Sequence, residues 1–170
     1  MKTTALEAPN RALIERASLP GLFEALVNRG YLIIAPTVRD GAIVYDEIKT
    51  DTDLPIGWTD EQAAGNYRLK RRDDEAVFGY TVGPYSWKRF LHSPAIRLWQ
   101  GARNDGRFQI IEEPLTAPKY ALVGVRSCEL SAIAIQDKVF IGGQFKDNCY
   151  AERRNNCLII AINCGQAELH

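Results

Sequence analysis

The sequence predicts a mixed α/β domain, with β-hairpins in its N-terminal part and a parallel βαβ unit in its C-terminal part. Turn sequences at Asp40-Gly41 and Asp105-Gly106 lie between strand-like runs, which is a hairpin signal. Two apolar runs, 120–125 and 158–162, are separated by two helix-like segments. Strands joined by such a long helical connection are parallel. The 170 residues, 46% of them hydrophobic, suffice for one domain with its own core.

The N-terminal elements are predicted from residues that typically begin or end helices and strands. Residues 1–18 are expected to be a polar, partly helical lead-in, and residues 19–170 a single domain. A helix is predicted between residues 18 and 30, with Ser18 as its cap, Pro20 in its first turn and Gly30 at its end. A hairpin of strands 31–36 and 42–48 follows. Residues 50–65 are expected to be irregular, and the charged cluster 70–75 to form a solvated turn or a patch for an acidic partner.

The remaining elements are predicted in the same way. Residues 76–82 are strand-like, and 85–91 predict a short helix that ends before Pro94. Runs 96–100 and 107–112 predict the second hairpin. The last part predicts a strand at 120–125, helices at 128–139 and 147–155, and a strand at 158–162.

Composition excludes several classes of protein. Equal numbers of basic and acidic residues, 21 each, argue against a nucleic-acid-binding surface. The longest apolar runs have five or six residues, too few to span a bilayer, and the N-terminus lacks the apolar core of a signal peptide. We therefore expect a cytoplasmic protein. No nucleotide-binding loop or nucleophile–base pair is visible, so the isolated chain is not expected to be a catalyst.

Two cysteines are candidates for a metal site. Cys128 opens the helix after strand 120–125, and Cys164 follows strand 158–162. Open α/β sheets bind ligands at the carboxyl ends of their strands, so this pair predicts a metal or iron–sulfur site. Arg126 and the helix N-terminus would favour the thiolate that metals bind. The spacing contains no Cys-x-x-Cys pair, and the alternative that both cysteines are merely small buried residues stays open.

Other residues are given structural or interface roles. Cys149, near a helix start, and Cys157, at the start of the last strand, are expected to pack without binding metal. Trp87 and Trp99 are expected to pack or to lie at a partner interface, where tryptophan is enriched.

Two stretches resemble a known family. Residues 83–94 contain Gly-Pro followed by Lys-x-Phe-Leu. Residues 123–130 read Val-Gly-Val-Arg-Ser-Cys-Glu-Leu, and matching positions follow at Asp137, Phe140, Asp147, Tyr150, Arg153, Arg154 and Cys164. The chain thereby resembles the iron–sulfur electron-transfer subunits of anaerobic sulfite reductase and the beta subunits of soluble NiFe hydrogenases or sulfhydrogenases. Ser127 replaces the usual proline, and Glu129 the usual aspartate.

The resemblance implies a cofactor and partners. It implies a 4Fe–4S cluster with Cys128 and Cys164 among its ligands, and it carries no ligand role to Cys149 or Cys157. It implies an N-terminal fragment of a longer subunit, with more cysteines and a ferredoxin-like domain downstream. The implied partners are a flavin- or NAD(P)H-binding subunit and a catalytic redox subunit. Two alternatives remain: a metal-free docking domain with incidental cysteines, and a small flavin- or nucleotide-binding domain that uses Arg126 and Asn163.

Overall fold

A four-stranded mixed sheet with helices on both faces organises the protein. The computed structural model describes residues 14–81, 83, 85–104, 106–112 and 116–164. The helices are α1 (Leu19–Asn28), α2 (Lys88–Leu91), α3 (Ser127–Phe140) and α4 (Asn148–Asn155), with short 3-10 helices at Arg16–Ser18 and Asp51–Asp53. The strands are β1 (Leu32–Arg39), β2 (Ala42–Ile48), β3 (Trp58–Ala63), β4 (Asn66–Arg71), β5 (Trp99–Asn104), β6 (Arg107–Glu112), β7 (Tyr120–Val125) and β8 (Cys157–Ala161).

The main sheet has the strand order β2-β1-β7-β8, and this arrangement confirms the predicted fold class. Strand β1 is antiparallel to β2 and parallel to β7, and β7 is parallel to β8. The β1–β2 turn at Asp40 and Gly41 has positive φ at both residues, as a tight hairpin requires. Strands β3 with β4, and β5 with β6, form two separate two-stranded sheets. The predicted β7-α3-α4-β8 crossover is confirmed. The predicted second hairpin is also present, but its first strand is β5 at Trp99–Asn104 rather than 96–100.

Two apolar clusters lie on opposite faces of the main sheet. One cluster packs α1 against the sheet, and its buried members are Phe23, Leu26, Ile33, Ala35, Ile48, Leu54, Ala121 and Val123. The other packs residues of α2, α3 and α4 on the opposite face, and its buried members are Ile34, Tyr45, Trp87, Leu91, Leu122, Val125, Ile133 and Tyr150. Neighbouring strand residues alternate between the clusters because side chains of a strand point to alternate faces.

A β-bulge in β7 breaks this alternation just before the strand ends. Val123 belongs to the α1 cluster, yet Val125, two residues later, belongs to the cluster of α3. The β7–β8 register shifts between these two residues, and Gly124 between them has a φ of 94°. The extra residue thus turns Val125 toward α3 and sets the direction in which the chain leaves the strand.

Three local predictions are wrong. Residues 50–65 are not irregular throughout, because β3 pairs with β4 along its whole length. Residues 76–81 contain no strand; side-chain bonds hold this segment instead, from Arg72 to the carbonyl of Gly79 and from Thr81 to buried Asp60. Ser18 occupies the cap position of α1 but makes no capping bond, since the preceding 3-10 helix gives it a ψ of 0°.

Two further findings concern charged and apolar segments. In the cluster 70–75, Lys70 pairs with Glu61 at 2.7 Å and Arg72 with Asp74 at 2.6 Å. Across the described residues, no helix combines the length and the apolar character needed to cross a bilayer. Of the lead-in predicted at 1–18, residues 1–13 lie outside the described residues, and a short 3-10 helix forms at Arg16–Ser18.

Candidate functional site

Cys128 and Cys164 leave the same edge of the main sheet. Strand β7 ends at Val125 and its parallel neighbour β8 at Ala161. The backbone N–H of Ile162 donates to the carbonyl of Val125 at 2.9 Å, so the two chain segments remain side by side beyond the strands. Cys128 is the second residue of α3, and both thiols are free and exposed. The predicted placement of these two cysteines at adjacent strand ends is present in the structure.

Arg126 is the buried cation of this edge. Its Nη1 lies 4.0 Å from Sγ of Cys164, and its Nη2 donates a hydrogen bond to the carbonyl oxygen of Tyr80. The guanidinium carbon lies 5.0 Å from the centre of the Tyr80 ring. A buried positive charge beside an exposed thiol makes this edge favourable for an anionic group.

Glu129 links Arg126 to β2, the strand that lies on the other side of the sheet from β8. One of its carboxylate oxygens accepts a hydrogen bond from the backbone N–H of Arg126 at 2.9 Å, and the other accepts one from the hydroxyl of Tyr45. Burial, together with that hydrogen bond, raises the pKa of Tyr45 far above its usual range, so this hydroxyl remains a donor. Tyr45 stacks on Trp87 with ring centres 3.9 Å apart. The start of α3 is therefore fixed by side chains from β2 and from the segment before α2.

Three buried polar atoms in this region have no hydrogen-bond partner within the part of the chain that the structure describes. They are Nε of Arg126, the hydroxyl of Tyr80 and Nε1 of Trp87. Burial raises the pKa of Tyr80 above its usual range, so its hydroxyl keeps its proton. Nε of Arg126 and Nε1 of Trp87 can donate a hydrogen bond but cannot accept one.

The structure does not bring Cys149 or Cys157 to this edge. Cys157 is paired with Tyr120, the first residue of β7, and therefore lies at the amino end of the sheet. Cys149 lies near Asp147, whose N–H donates to the carbonyl of Phe140 at the far end of α3. The 14 residues of α3 span roughly 20 Å, which separates Cys149 from Cys128. Within the described ranges, no three His, Cys, Asp or Glu side chains are placed to hold a metal ion.

Cys157 is expected to react slowly with alkylating reagents. Burial raises the pKa of its thiol to about 11. Near pH 8 its thiolate fraction should be about a hundred times smaller than in an unfolded chain, and alkylation slows accordingly because the thiolate is the nucleophile. Iodoacetamide labelling followed by peptide mass spectrometry, with the denatured protein as the control, measures this ratio. Equal rates in the folded and denatured protein would contradict the burial of Cys157.

Several residues of the site were not predicted. Tyr45, Tyr80 and Trp87 are 81, 46 and 39 residues before Arg126 in the numbering of the chain, and no motif connects them to it. Glu129 was signalled, because a glutamate three residues after a helix cap typically bonds back to the backbone of the cap.

Comparison with known proteins finds a relative among the hydrogenases. The chain is 31% identical over 91 residues to the beta subunit of sulfhydrogenase 2 from Pyrococcus furiosus. The matched stretch covers 54% of this chain and 25% of that subunit, so it spans about a quarter of the relative. No family profile matches the chain, and no solved structure matches it. The similarity supports a relationship to a hydrogenase beta subunit over the matched stretch.

Proposed function

We propose that this chain is a domain of an electron-transfer subunit in a redox complex, and that Cys128 and Cys164 are ligands of a 4Fe–4S cluster. The observation that carries the proposal is the pair of exposed thiols at one edge of the parallel sheet, with buried Arg126 beside one of them. The similarity to a sulfhydrogenase beta subunit supports it. The proposal includes a relationship to the iron–sulfur subunits of anaerobic sulfite reductase, which depends on the motifs at 83–94 and 123–130.

The residues present fit part of such a site. A 4Fe–4S cluster is held by four thiolates, and the described residues supply two at this edge. The other two would come from elsewhere in a longer subunit or from a partner. The positive charge of Arg126, whose Nη1 lies 4.0 Å from Sγ of Cys164, suits the negative charge of thiolate-bound iron and sulfide. When bound, the cluster would supply one-electron transfer.

The chain's own residues would set the environment for that transfer. Cys128 and Cys164 would hold iron, and the amides at the start of α3 would face negative charge, which helix N-termini favour. Arg126 would stabilise the reduced, more negative state by its charge. Glu129 and Tyr80 would keep the guanidinium and the start of α3 in place.

The wider role is part of the same proposal. Residues 19–170 would form the N-terminal domain of a longer cytoplasmic subunit. This subunit would pass electrons between a flavin- or NAD(P)H-binding subunit and a catalytic redox subunit.

Replacing Cys128 with serine is expected to remove this cluster. The full-length subunit, reconstituted anaerobically, should lose about four iron atoms and their sulfide in Cys128→Ser and in Cys164→Ser, because serine is a poor ligand for this cluster. Iron and sulfide analysis, with electron paramagnetic resonance of the reduced protein, measures the loss. Cys149→Ser is the matched control and should keep the full iron content. Unchanged iron in both ligand variants, with normal assembly, would instead favour a metal-free docking domain.

A further inference from the structure

We propose that Asp60 is a positioning residue of the proposed cluster site. Acting through Thr81 and Tyr80, its carboxylate holds the guanidinium of Arg126 beside Cys164 and thereby raises the reduction potential of the cluster. This inference rests on the proposed function, since it requires that Cys164 binds the cluster. Three contacts carry it: Asp60 with Thr81, Tyr80 with Arg126, and Arg126 with Cys164.

The guanidinium of Arg126 depends on Tyr80 for its position. Within the described residues, its hydrogen-bond partners are the carbonyl oxygen of Tyr80 and Sγ of Cys164, and Nε has none. The ring of Tyr80 also lies 5.0 Å from the guanidinium carbon. An arginine side chain has many rotamers, so its charge stays at one point only where such contacts hold it. A displacement of Tyr80 would therefore move the charge away from Cys164.

Tyr80 lies in a segment without regular secondary structure. Residues 72–81 contain no strand or helix, so no ladder of backbone hydrogen bonds fixes them. On one side of Tyr80, the carbonyl oxygen of Gly79 accepts a hydrogen bond from Nη1 of Arg72 at 3.1 Å. On the other side, Thr81 donates two hydrogen bonds to a carboxylate. The position of the Tyr80 carbonyl thus depends on side-chain bonds to its two neighbours.

Asp60 supplies that carboxylate. The backbone N–H of Thr81 donates to Oδ1 of Asp60 at 2.8 Å, and the hydroxyl of Thr81 donates to Oδ2 at 2.6 Å. The side-chain amide of Gln62 donates to Oδ2 as well, at 2.6 Å. Asp60 is only 8% exposed, and a buried carboxylate is costly unless donors such as these satisfy it. Hydrogen bonds to a charged acceptor are strong, so Asp60 holds the residue next to Tyr80 firmly.

The β3–β4 hairpin gives Asp60 a fixed base. Asp60 pairs with Leu69 and Gln62 pairs with Tyr67, and alternate pairs of this kind share one face of the hairpin. On that face, the hydroxyl of Tyr67 accepts a hydrogen bond from the backbone N–H of Ile43 in β2 at 3.1 Å. An isolated two-stranded hairpin is marginally stable in water. The face that presents Asp60 is therefore the one that joins the hairpin to the main sheet.

The charges of Arg126 and Asp60 act on a cluster in opposite directions. A positive charge beside the thiolates stabilises the reduced, more negative state and raises the potential, whereas a negative charge lowers it. Removing the carboxylate charge alone would therefore raise the potential, and releasing the guanidinium would lower it. Two neutral replacements of Asp60 that differ in their hydrogen bonding separate these effects.

Asp60→Ala is expected to give a lower potential than Asp60→Asn. Both variants lack the charge, but asparagine keeps an oxygen that accepts the N–H of Thr81, and alanine has none. At the potential where the cluster is half reduced in Asp60→Asn, the ratio of reduced to oxidised cluster in Asp60→Ala should be roughly tenfold smaller. A redox titration of the reconstituted full-length subunit measures this ratio, with electron paramagnetic resonance following the signal that is lost in Cys128→Ser.

Hydrogen exchange of the cluster-free subunit tests the bonds of Asp60 directly. By mass spectrometry, the peptide that contains Thr81 should exchange faster in Asp60→Ala than in Asp60→Asn. Asp53→Ala is the matched control, because Oδ2 of Asp53 accepts backbone N–H groups in a different loop, from Lys49 at 3.0 Å and from Thr50 at 3.1 Å. This replacement should loosen its own loop and leave the potential of the cluster at the parent value.

Thr81→Val provides a second variant in case Asp60→Ala does not fold. Valine removes the hydroxyl bond to Asp60 without a change in net charge, so the potential should fall below that of the parent protein. The inference would be overturned by a potential in Asp60→Ala that equals or exceeds that in Asp60→Asn. If circular dichroism shows that Asp60→Ala is unfolded, an unchanged potential in Thr81→Val would overturn it instead.

The same variants distinguish this inference from the proposed function. A cluster that requires Cys128 and Cys164, with equal potentials in the two Asp60 variants, would overturn only the positioning role. Iron that is retained in Cys128→Ser and Cys164→Ser would overturn the cluster assignment. In that case, faster exchange at Thr81 in Asp60→Ala would still show that Asp60 holds the segment of Tyr80.

Discussion

Replacing Trp87 with alanine is expected to lower the free energy of unfolding by about 3–5 kcal/mol. Only 1% of Trp87 is exposed, its ring stacks on Tyr45, and it packs in the cluster that joins α2 and α3 to the sheet. The substitution removes this buried area and leaves a cavity that the surrounding helices fill only in part. Denaturant unfolding followed by circular dichroism measures the loss.

Trp99→Ala is the matched control for this substitution. Trp99 is 58% exposed on the hairpin, so its replacement should change the free energy of unfolding by no more than about 0.5 kcal/mol. Because Trp87 also supports Tyr45, whose hydroxyl bonds Glu129, Trp87→Ala should lower iron retention at the proposed cluster site as well. Equal losses of stability for the two tryptophans would contradict the packing described above.

Gly124→Ala is expected to cost about 2–4 kcal/mol of stability, the sum of backbone strain and crowding. A residue with a side chain is strained at the φ of 94° that the β7 bulge requires. The added Cβ would also lie 2.9 Å from Cε1 of Phe78 and 3.4 Å from Cδ of Pro36, so the core would have to shift. Chemical denaturation of the variant and the parent protein measures the difference.

Gly30→Ala separates strain from crowding. Gly30 has a φ of 78° at the end of α1, but nothing lies within 4 Å of an added Cβ. Its replacement should cost about 1–2 kcal/mol, from backbone strain alone. If Gly124→Ala lowers the free energy of unfolding no more than Gly30→Ala does, the added Cβ is not crowded by Phe78, and the close packing described at the bulge is contradicted.

The C-terminal half of the fold was predictable because its signals are local. Apolar runs at 120–125 and 158–162 with two helix-like segments between them define the crossover, and the structure has β7, α3, α4 and β8 in those places. That order alone puts Cys128 and Cys164 at one edge of a parallel sheet. The errors at 50–65 and 76–81 have the opposite cause. Pairing of β3 with β4 and the bonds of Asp60 to Thr81 depend on partners that a short window of sequence does not contain.

The order of strand-like and helix-like patterns along the sequence was thus sufficient to predict the fold class, the β7-to-β8 crossover and the strand ends that the two cysteines follow. Only the tertiary structure decided which side chains surround them. Arg126 approaches Cys164, 38 residues away. Tyr80 contacts Arg126, Tyr45 bonds Glu129, and Trp87 stacks on Tyr45, and these three residues come from three other segments of the chain. It also decided that Trp87 is buried and Trp99 exposed. Burial depends on which distant elements pack together, and such packing leaves no periodic signal in the sequence around a single residue.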